Sequence, residues 1–502
     1  MKNIVVRTHV TIIVLVCLYL LLQLPFLTKI TNVWVDEPWY ASTSYNFSQG
    51  KGLVNDSAGF GGGEINFLYT ILMGTFFKIV GTSLLSGRLF SILGGLIGLV
   101  GLVYILRELR VKYVFIFFAG LLYIFSNVNY IIFRTIRPEG WTVALIIWGF
   151  YFLIRGIKSN RVSDYLWSGL ITSCSFLCHP NAAFYVFLFA LITGILSIKH
   201  KRFSFLFYYL FGCIPVYASL LLYVAFFIEE DIISFFASWS GRTQLSSRTF
   251  FASVTKNLAT FLTLYTLGIK RLLIFIFEMG ILMIGLFYLK KEKFIFLISA
   301  TGLAYFLLAI LFLKPYSTRG FGAVLIFSFL TYALLLNIPQ QTSRKTHIVL
   351  TIVGIIYLVN NVAGDLIVIN RDYRNTPYSY IENRIDQIVP DKVPVLTLMN
   401  FWFPLKNNDN YNSYTKWDKK KYTGLDHLLD SGAVEYVVIS DYLSDGVTAT
   451  SGRKVDQETI HRVTKYFLKV HNFAAGNGTL VESILTNNYG QIEIWKIEKN
   501  NT

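Results

Sequence analysis

Long apolar runs, separated by short polar loops rich in lysine and arginine, dominate the first 369 positions of the chain. Eleven of these runs read as helices able to cross a bilayer whose hydrocarbon core is about 30 Å thick. They lie near 9–28, 86–106, 112–129, 136–155, 164–178, 182–198, 204–228, 270–289, 294–313, 320–337 and 347–366. Two further apolar runs, 66–81 and 250–268, are predicted as interfacial helices. With both on the membrane surface, the basic clusters Lys2/Arg7, Arg107/Arg110/Lys112, Arg155/Lys158/Arg161, Lys199/Lys201/Arg202, Lys290/Lys291/Lys293 and Arg344/Lys345 fall on one side. Making only the first a span would put five of the six clusters opposite the N-terminus, against the bias of cytoplasmic loops toward positive charge. The pattern therefore predicts a cytoplasmic N-terminus, with 29–85, 229–269 and the polar tail outside. No small-residue cleavage site follows the first run, so it reads as a retained helix.

After position 369 the period changes. Strand-like runs at Val393–Met399, Glu435–Ser440, Thr479–Leu485 and Gln491–Lys496 alternate with helical stretches near Thr423–Ser431 and Asp456–Leu468. Such alternation predicts a small α/β unit. The expected architecture is an α-helical polytopic membrane protein, residues 1–369, followed by an extracytoplasmic α/β domain, residues 370–502.

Composition agrees with that division. A mean hydropathy of +0.52 and 54% hydrophobic residues exclude an ordinary soluble protein. The net charge of +16 points away from nucleic acid once it is located. Residues 370–502 hold 16 basic and 16 acidic residues, leaving 29 basic and 13 acidic in the membrane part, where the excess sits in short loops. All four cysteines, Cys17, Cys174, Cys178 and Cys213, fall within apolar runs and read as buried hydrophobes, with no disulfide and no zinc site expected.

The candidate chemistry begins just beyond the first span, in Val35-Asp36-Glu37-Pro38-Trp39-Tyr40-Ala41. Acidic residues at the mouth of a helical bundle are costly to keep there. One reading makes Asp36 a helix cap, with Pro38 in the first turn. The other makes it a base that accepts the proton of an attacking hydroxyl. Arg134, Arg137, Lys314 and Arg319 lie at outer ends of spans, where they either snorkel to headgroups or neutralise a phosphate. Glu37, Glu64 and Glu139 are candidate contacts for the acceptor, a cation or sugar hydroxyls, and Glu139 also suits an ion pair with Arg134 or Arg137. His179, before Pro180, is read either as a substrate contact or as a hydrogen-bonded histidine at a helix break. Gly59, Gly61, Gly62 and Gly63 lack the strand and Lys-Ser/Thr of a phosphate loop and read as a loop over the substrate. No cofactor is required by these residues, and no metal-ligand spacing is present, although the outer carboxylates leave room for a divalent metal.

In several places the chain resembles the GT-C superfamily of membrane glycosyltransferases, in the branch of the protein O-mannosyltransferases and the lipid A aminoarabinose transferase. Asp36-Glu37-Pro38-Trp39-Tyr40-Ala41 matches the branch's Asp-Glu-x-x-Tyr-Ala opening. Ser86-Gly87-Arg88-Leu89, Arg134-Thr135-Ile136-Arg137-Pro138-Glu139, Leu177-Cys178-His179-Pro180 and Lys314-Pro315-Tyr316-Ser317-Thr318-Arg319 follow in the branch's order. One departure stands at Gly63-Glu64-Ile65-Asn66, where the branch often has an acidic residue, a Lys or His, and prolines. The resemblance implies a polyprenyl-phosphate sugar as donor and an inverting transfer on the outer face of the membrane, and the short loops without targeting signals point to a plasma membrane. Asp36 would be the catalytic base, and Glu37, Glu64, Arg137, Glu139, His179, Lys314, Tyr316 and Arg319 would line the substrate. The acceptor would be a glycan, lipid or protein. The rival readings are a transporter or flippase of lipid-linked sugars, which would want ionisable groups at mid-membrane in two related halves, and a non-enzymatic scaffold.

Overall fold

The structure, a computed structural model, describes residues 2–57, 66–227, 250–266, 268–288, 292–312, 322–338, 344–408, 411–413, 424–441 and 457–498. Glu64, Lys314, Tyr316, Arg319, the glycines from 59 to 63 and most of the expected outer loop 229–269 lie outside these residues. The membrane half is helical: α1 (Lys2–Gln23), α2 (Asp36–Ser48), α3 (Phe67–Val80), α4 (Leu84–Glu108), α5 (Tyr113–Ile124), α6 (Asn127–Phe133), α7 (Glu139–Ser159), α8 (Val162–Cys178), α9 (Ala183–Lys199) and α10 (Ser204–Phe227). Then come α11 (Phe250–Thr266), α12 (Ile269–Leu286), α13 (Lys293–Phe312), α14 (Gly322–Asn337) and α15 (Arg344–Asp372).

Among the described residues seven helices are long and apolar enough to cross a membrane, and the bent pair α5 and α6 makes an eighth. The chain is a multi-pass membrane protein. Three expected spans, at α8, α12 and α14, are helices that this measure does not include. The helix α3 has 14 residues, about 21 Å at 1.5 Å per residue, which is short of the hydrocarbon core. It packs on α2, where Gly74 meets the Ser44 carbonyl with no room for a methyl group.

The expected span 112–129 is built as a broken one. The chain bends by 61° between α5 and α6. Asn127 at the break explains it, because α15 satisfies both its backbone and its side chain. The Asn127 N–H donates to Asn361 Oδ1 at 2.9 Å, and Asn127 Nδ2 donates to Asp365 Oδ1 at 2.9 Å. A backbone break inside an apolar bundle survives only with such partners. The bend turns α6 toward the start of α7 and so places residues 134–138 beside α2.

Small residues let helices meet closely. Gly169 on α8 faces the Tyr209 carbonyl of α10, and Gly212 on α10 faces the Leu166 carbonyl of α8; neither position has space for a Cβ. The basic ends also converge. Lys158 at the end of α7 pairs with Glu108 at the end of α4 at 2.9 Å, and the Lys112 N–H donates to Asn337 Oδ1 at the end of α14 at 3.0 Å.

The C-terminal part carries α16 (Tyr378–Ile388), β1 (Val395–Thr397), β2 (Tyr411–Ser413), α17 (Gly424–Asp430), β3 (Tyr436–Ser440), α18 (Gln457–Asn477), β4 (Gly478–Leu485) and β5 (Gln491–Ile497). The sheet order is β2-β1-β3-β5-β4, with β1 parallel to β2 and β3, and β5 antiparallel to β3 and β4. Central strand β3 is buried along its whole length, as its Val437-Val438-Ile439 run requires. Strand β2 sits in a polar stretch that shows no strand period, and α15 runs to Asp372, past the expected end at 366.

Candidate active site

Helix α2 starts at Asp36, and no side chain caps it. The capping role weighed for Asp36 is therefore not what the residue does. Its carboxylate pairs instead with the Arg137 guanidinium, whose other edge holds Glu139: Nε and Nη2 reach Glu139 Oε1 at 2.8 and 2.5 Å. The three side chains form a chain from surface to interior. Asp36 is 38% exposed, Arg137 18% and Glu139 10%. Burial opposes the charge on Arg137, but Glu139 and Asp36 outweigh it and hold the guanidinium pKa well above its ordinary value. It stays a cation at any working pH.

Glu37, the neighbouring carboxylate, lies in a different environment. It is fully buried and gripped by Arg88, with Nε to Oε2 at 2.9 Å and Nη2 to Oε1 at 2.7 Å. The Ile136 N–H donates to Oε2 at 3.0 Å and the Trp34 N–H to Oε1 at 3.3 Å. Arg88 also donates to the Leu27 and Thr31 carbonyls at 2.6 and 3.0 Å. With its acceptors occupied and no surface, Glu37 has nothing to offer a substrate, so the contact expected of it is replaced by a structural one. Successive helical residues project about 100° apart, which is why adjacent carboxylates meet opposite surroundings.

Arg134 is likewise occupied. It is fully buried and donates to the carbonyls of Leu22, Pro25 and Ile30 at 3.2, 2.7 and 3.1 Å, and to that of Gln23 as well. Its guanidinium satisfies carbonyls in the last turn of α1 and just past its end.

His179 follows α8, and Pro180 then starts a 3-10 turn over Pro180–Ala182. Its Nδ1 accepts the Asn181 N–H at 3.2 Å, so in the neutral ring Nε2 carries the proton. Burial lowers the His179 pKa from 6.5, while Glu139 pulls it up and Arg137 pushes it further down. Glu139 Oε2 is buried without a hydrogen-bond partner. Tyr40, one turn along α2 from Asp36, also acts electrostatically on Arg137. Its hydroxyl oxygen accepts from Asn66 Nδ2 at 3.4 Å, and its ring meets Tyr69 edge-on at 5.6 Å.

Three of the expected residues thus meet directly, Asp36, Arg137 and Glu139, with His179 near Glu139. Sequence reasoning did not assign Arg88 to Glu37, nor Tyr40 and Asn66 to the cleft. The Arg88 signal was present: an arginine inside an apolar helix requires an acidic or carbonyl partner. Among the described residues no group of three or more His, Cys, Asp or Glu side chains is placed to hold a metal.

This architecture has known counterparts. Residues 67–223 match the family described as dolichyl-phosphate-mannose-protein mannosyltransferase. The structure of ArnT from Cupriavidus metallidurans bound to undecaprenyl phosphate superposes with a TM-score of 0.60 at 11% identity, covering 97% of this chain and 98% of that one. ArnT from the same organism in the apo state gives 0.61 at 11% identity, over 96% and 97%. No curated protein matches the sequence. At such identity the likeness is one of fold, and it extends over both the membrane half and the C-terminal sheet. The chain therefore has the fold seen in ArnT, and a segment inside its membrane half, residues 67–223, matches the mannosyltransferase family model.

Proposed function

We propose that this chain is a GT-C glycosyltransferase that moves a sugar from a polyprenyl-phosphate carrier to an acceptor hydroxyl at the outer face of the plasma membrane, with inversion. One observation carries the reading: of two adjacent carboxylates, Glu37 is locked on buried Arg88, while Asp36 stands half-exposed at the end of an ion-pair chain. A carboxylate paired with a cation on one side and open on the other is suited to general-base work.

In this mechanism the acceptor oxygen attacks the anomeric carbon from the face opposite the phosphate. The carbon–oxygen bond to phosphate breaks, and its electron pair leaves with the lipid phosphate. The acceptor proton passes to Asp36. Arg137 is assigned to stabilise charge on the phosphate, with the Nε2–H of neutral His179 as a second donor. Lys314, Tyr316 and Arg319 are proposed to complete the phosphate site, and Glu64 and Glu139 to contact sugar or acceptor. A bound divalent metal is not needed by any of these steps.

The same reading places eleven spans across the membrane, the N-terminus in the cytoplasm, and residues 370–502 outside as a separate domain. The meeting of the basic ends of α4 and α7 supports one cytoplasmic side. The flippase reading gains some support from buried Glu278 in the middle of α12, which the sequence reading passed over. The ArnT-like fold of both parts favours the transferase. The test uses purified protein in lipid, supplied with a panel of polyprenyl-phosphate sugars and membrane extract as acceptor. Release of polyprenyl phosphate from one donor is expected. Failure with every donor would favour transport.

A further inference from the structure

The C-terminal sheet reaches back to the short segment that delivers Asp36. In the turn between β4 and β5, the Tyr489 hydroxyl oxygen accepts the Val33 N–H at 2.6 Å, and Asn488 Nδ2 donates to Asn32 Oδ1 at 2.8 Å. Asn375 Nδ2 donates to the same oxygen at 2.8 Å. From the 3-10 turn Met399–Phe401, Asn400 Nδ2 donates to the Val33 carbonyl at 2.6 Å. All six residues are buried, and Val35 packs on Met399 just beyond them.

Residues 33–35 are neither helix nor strand. Both backbone groups of Val33 therefore take their partners from side chains more than 360 positions away. Three residues later comes Asp36. On its far side the helix is anchored again, by Glu37 on Arg88.

We propose that the C-terminal part is a positioning element for Asp36, with Tyr489 and Asn400 holding Val33, and Asn375 and Asn488 holding Asn32. This rests on the reading of Asp36 as the base. A base must meet the acceptor oxygen within hydrogen-bond reach, and a 1 Å misplacement costs about 100-fold in rate. The clamp sets the position of the carboxylate without touching substrate.

The test uses the full chain in lipid and three variants. Tyr489→Phe keeps a ring that packs against Phe401 and Tyr378 at 5.9 and 6.1 Å between centroids, and removes only the oxygen. Asn32→Ala removes the shared acceptor. Asn407→Ala, which removes the partner of the Tyr45 hydroxyl, serves as a control from the same part of the chain. Amide exchange across residues 32–40 is expected to rise in the first two variants and not in the control. In those two, kcat should fall roughly 10- to 100-fold while the donor KM stays within about twofold. Raised exchange with wild-type kcat would overturn the positioning role. Unchanged exchange in both Tyr489→Phe and Asn32→Ala would overturn the clamp itself. A wild type that transfers no sugar would overturn the base reading instead, and the exchange arm does not depend on it.

Discussion

Arg88 grips both carboxylate oxygens of Glu37, at 2.7 and 2.9 Å, with neither side chain exposed to solvent. The pair joins α4 to the start of α2 and also holds the Leu27 and Thr31 carbonyls and the Ile136 N–H. Removing one partner leaves a buried charge alone, which costs about 3–5 kcal/mol. Glu37→Ala and Arg88→Ala are each expected to lower the thermal midpoint sharply in detergent, and the double variant should be less damaging than the sum of the two. Additive losses in that cycle would contradict a direct pair.

The contrast between Asp36 and Glu37 marks the limit of what the sequence discloses. Apolar runs give the helices because crossing a bilayer demands length and hydrophobicity together, and both are local properties. The Asp36-Glu37-Pro38 opening and the Arg137-Pro138-Glu139 segment are also visible as charges at helix ends. Which carboxylate faces the cleft depends on α4 and on residue 136, some 50 and 100 positions away. The same holds for the bend at Ser126-Asn127, which relies on Asn361 and Asp365. Strand β2 escapes notice because a three-residue edge strand in a polar run has no period to read.

Arg137 bridges two carboxylates with its planar fork, a geometry lysine cannot reproduce. Arg137→Lys should keep the fold and lower kcat, by roughly 10²- to 10³-fold if the guanidinium also meets the leaving phosphate. Steady-state kinetics against donor concentration would check this. A rise in donor KM at constant kcat would instead assign Arg137 to ground-state binding.

The His179 ring titrates below its ordinary value of 6.5 because burial disfavours its charged form. Its folded pKa is lower than its unfolded one, so the unfolded chain binds the proton more readily. The resulting stability is full above about pH 6.5 and is lost as pH falls through that value toward the folded pKa. Thermal midpoints measured from pH 8 to pH 5 should therefore drop more steeply for the wild type than for His179→Asn. Parallel curves would mean that His179 titrates alike in the folded and unfolded chain, against the depressed value.

The account stands on Asp36 as the base, and a single-turnover comparison reaches that claim directly. Wild type and Asp36→Asn, matched for thermal midpoint, would be loaded with the polyprenyl-phosphate sugar that the wild type accepts. Release of polyprenyl phosphate would be followed in the presence of acceptor. Asp36 is 38% exposed and caps no helix, so the variant should fold normally and bind donor. Its transfer rate should fall by roughly 10²- to 10⁴-fold, the range a positioned base supplies. Release at the wild-type rate from a folded Asp36→Asn protein would contradict the account and move the search for the base elsewhere in the cleft.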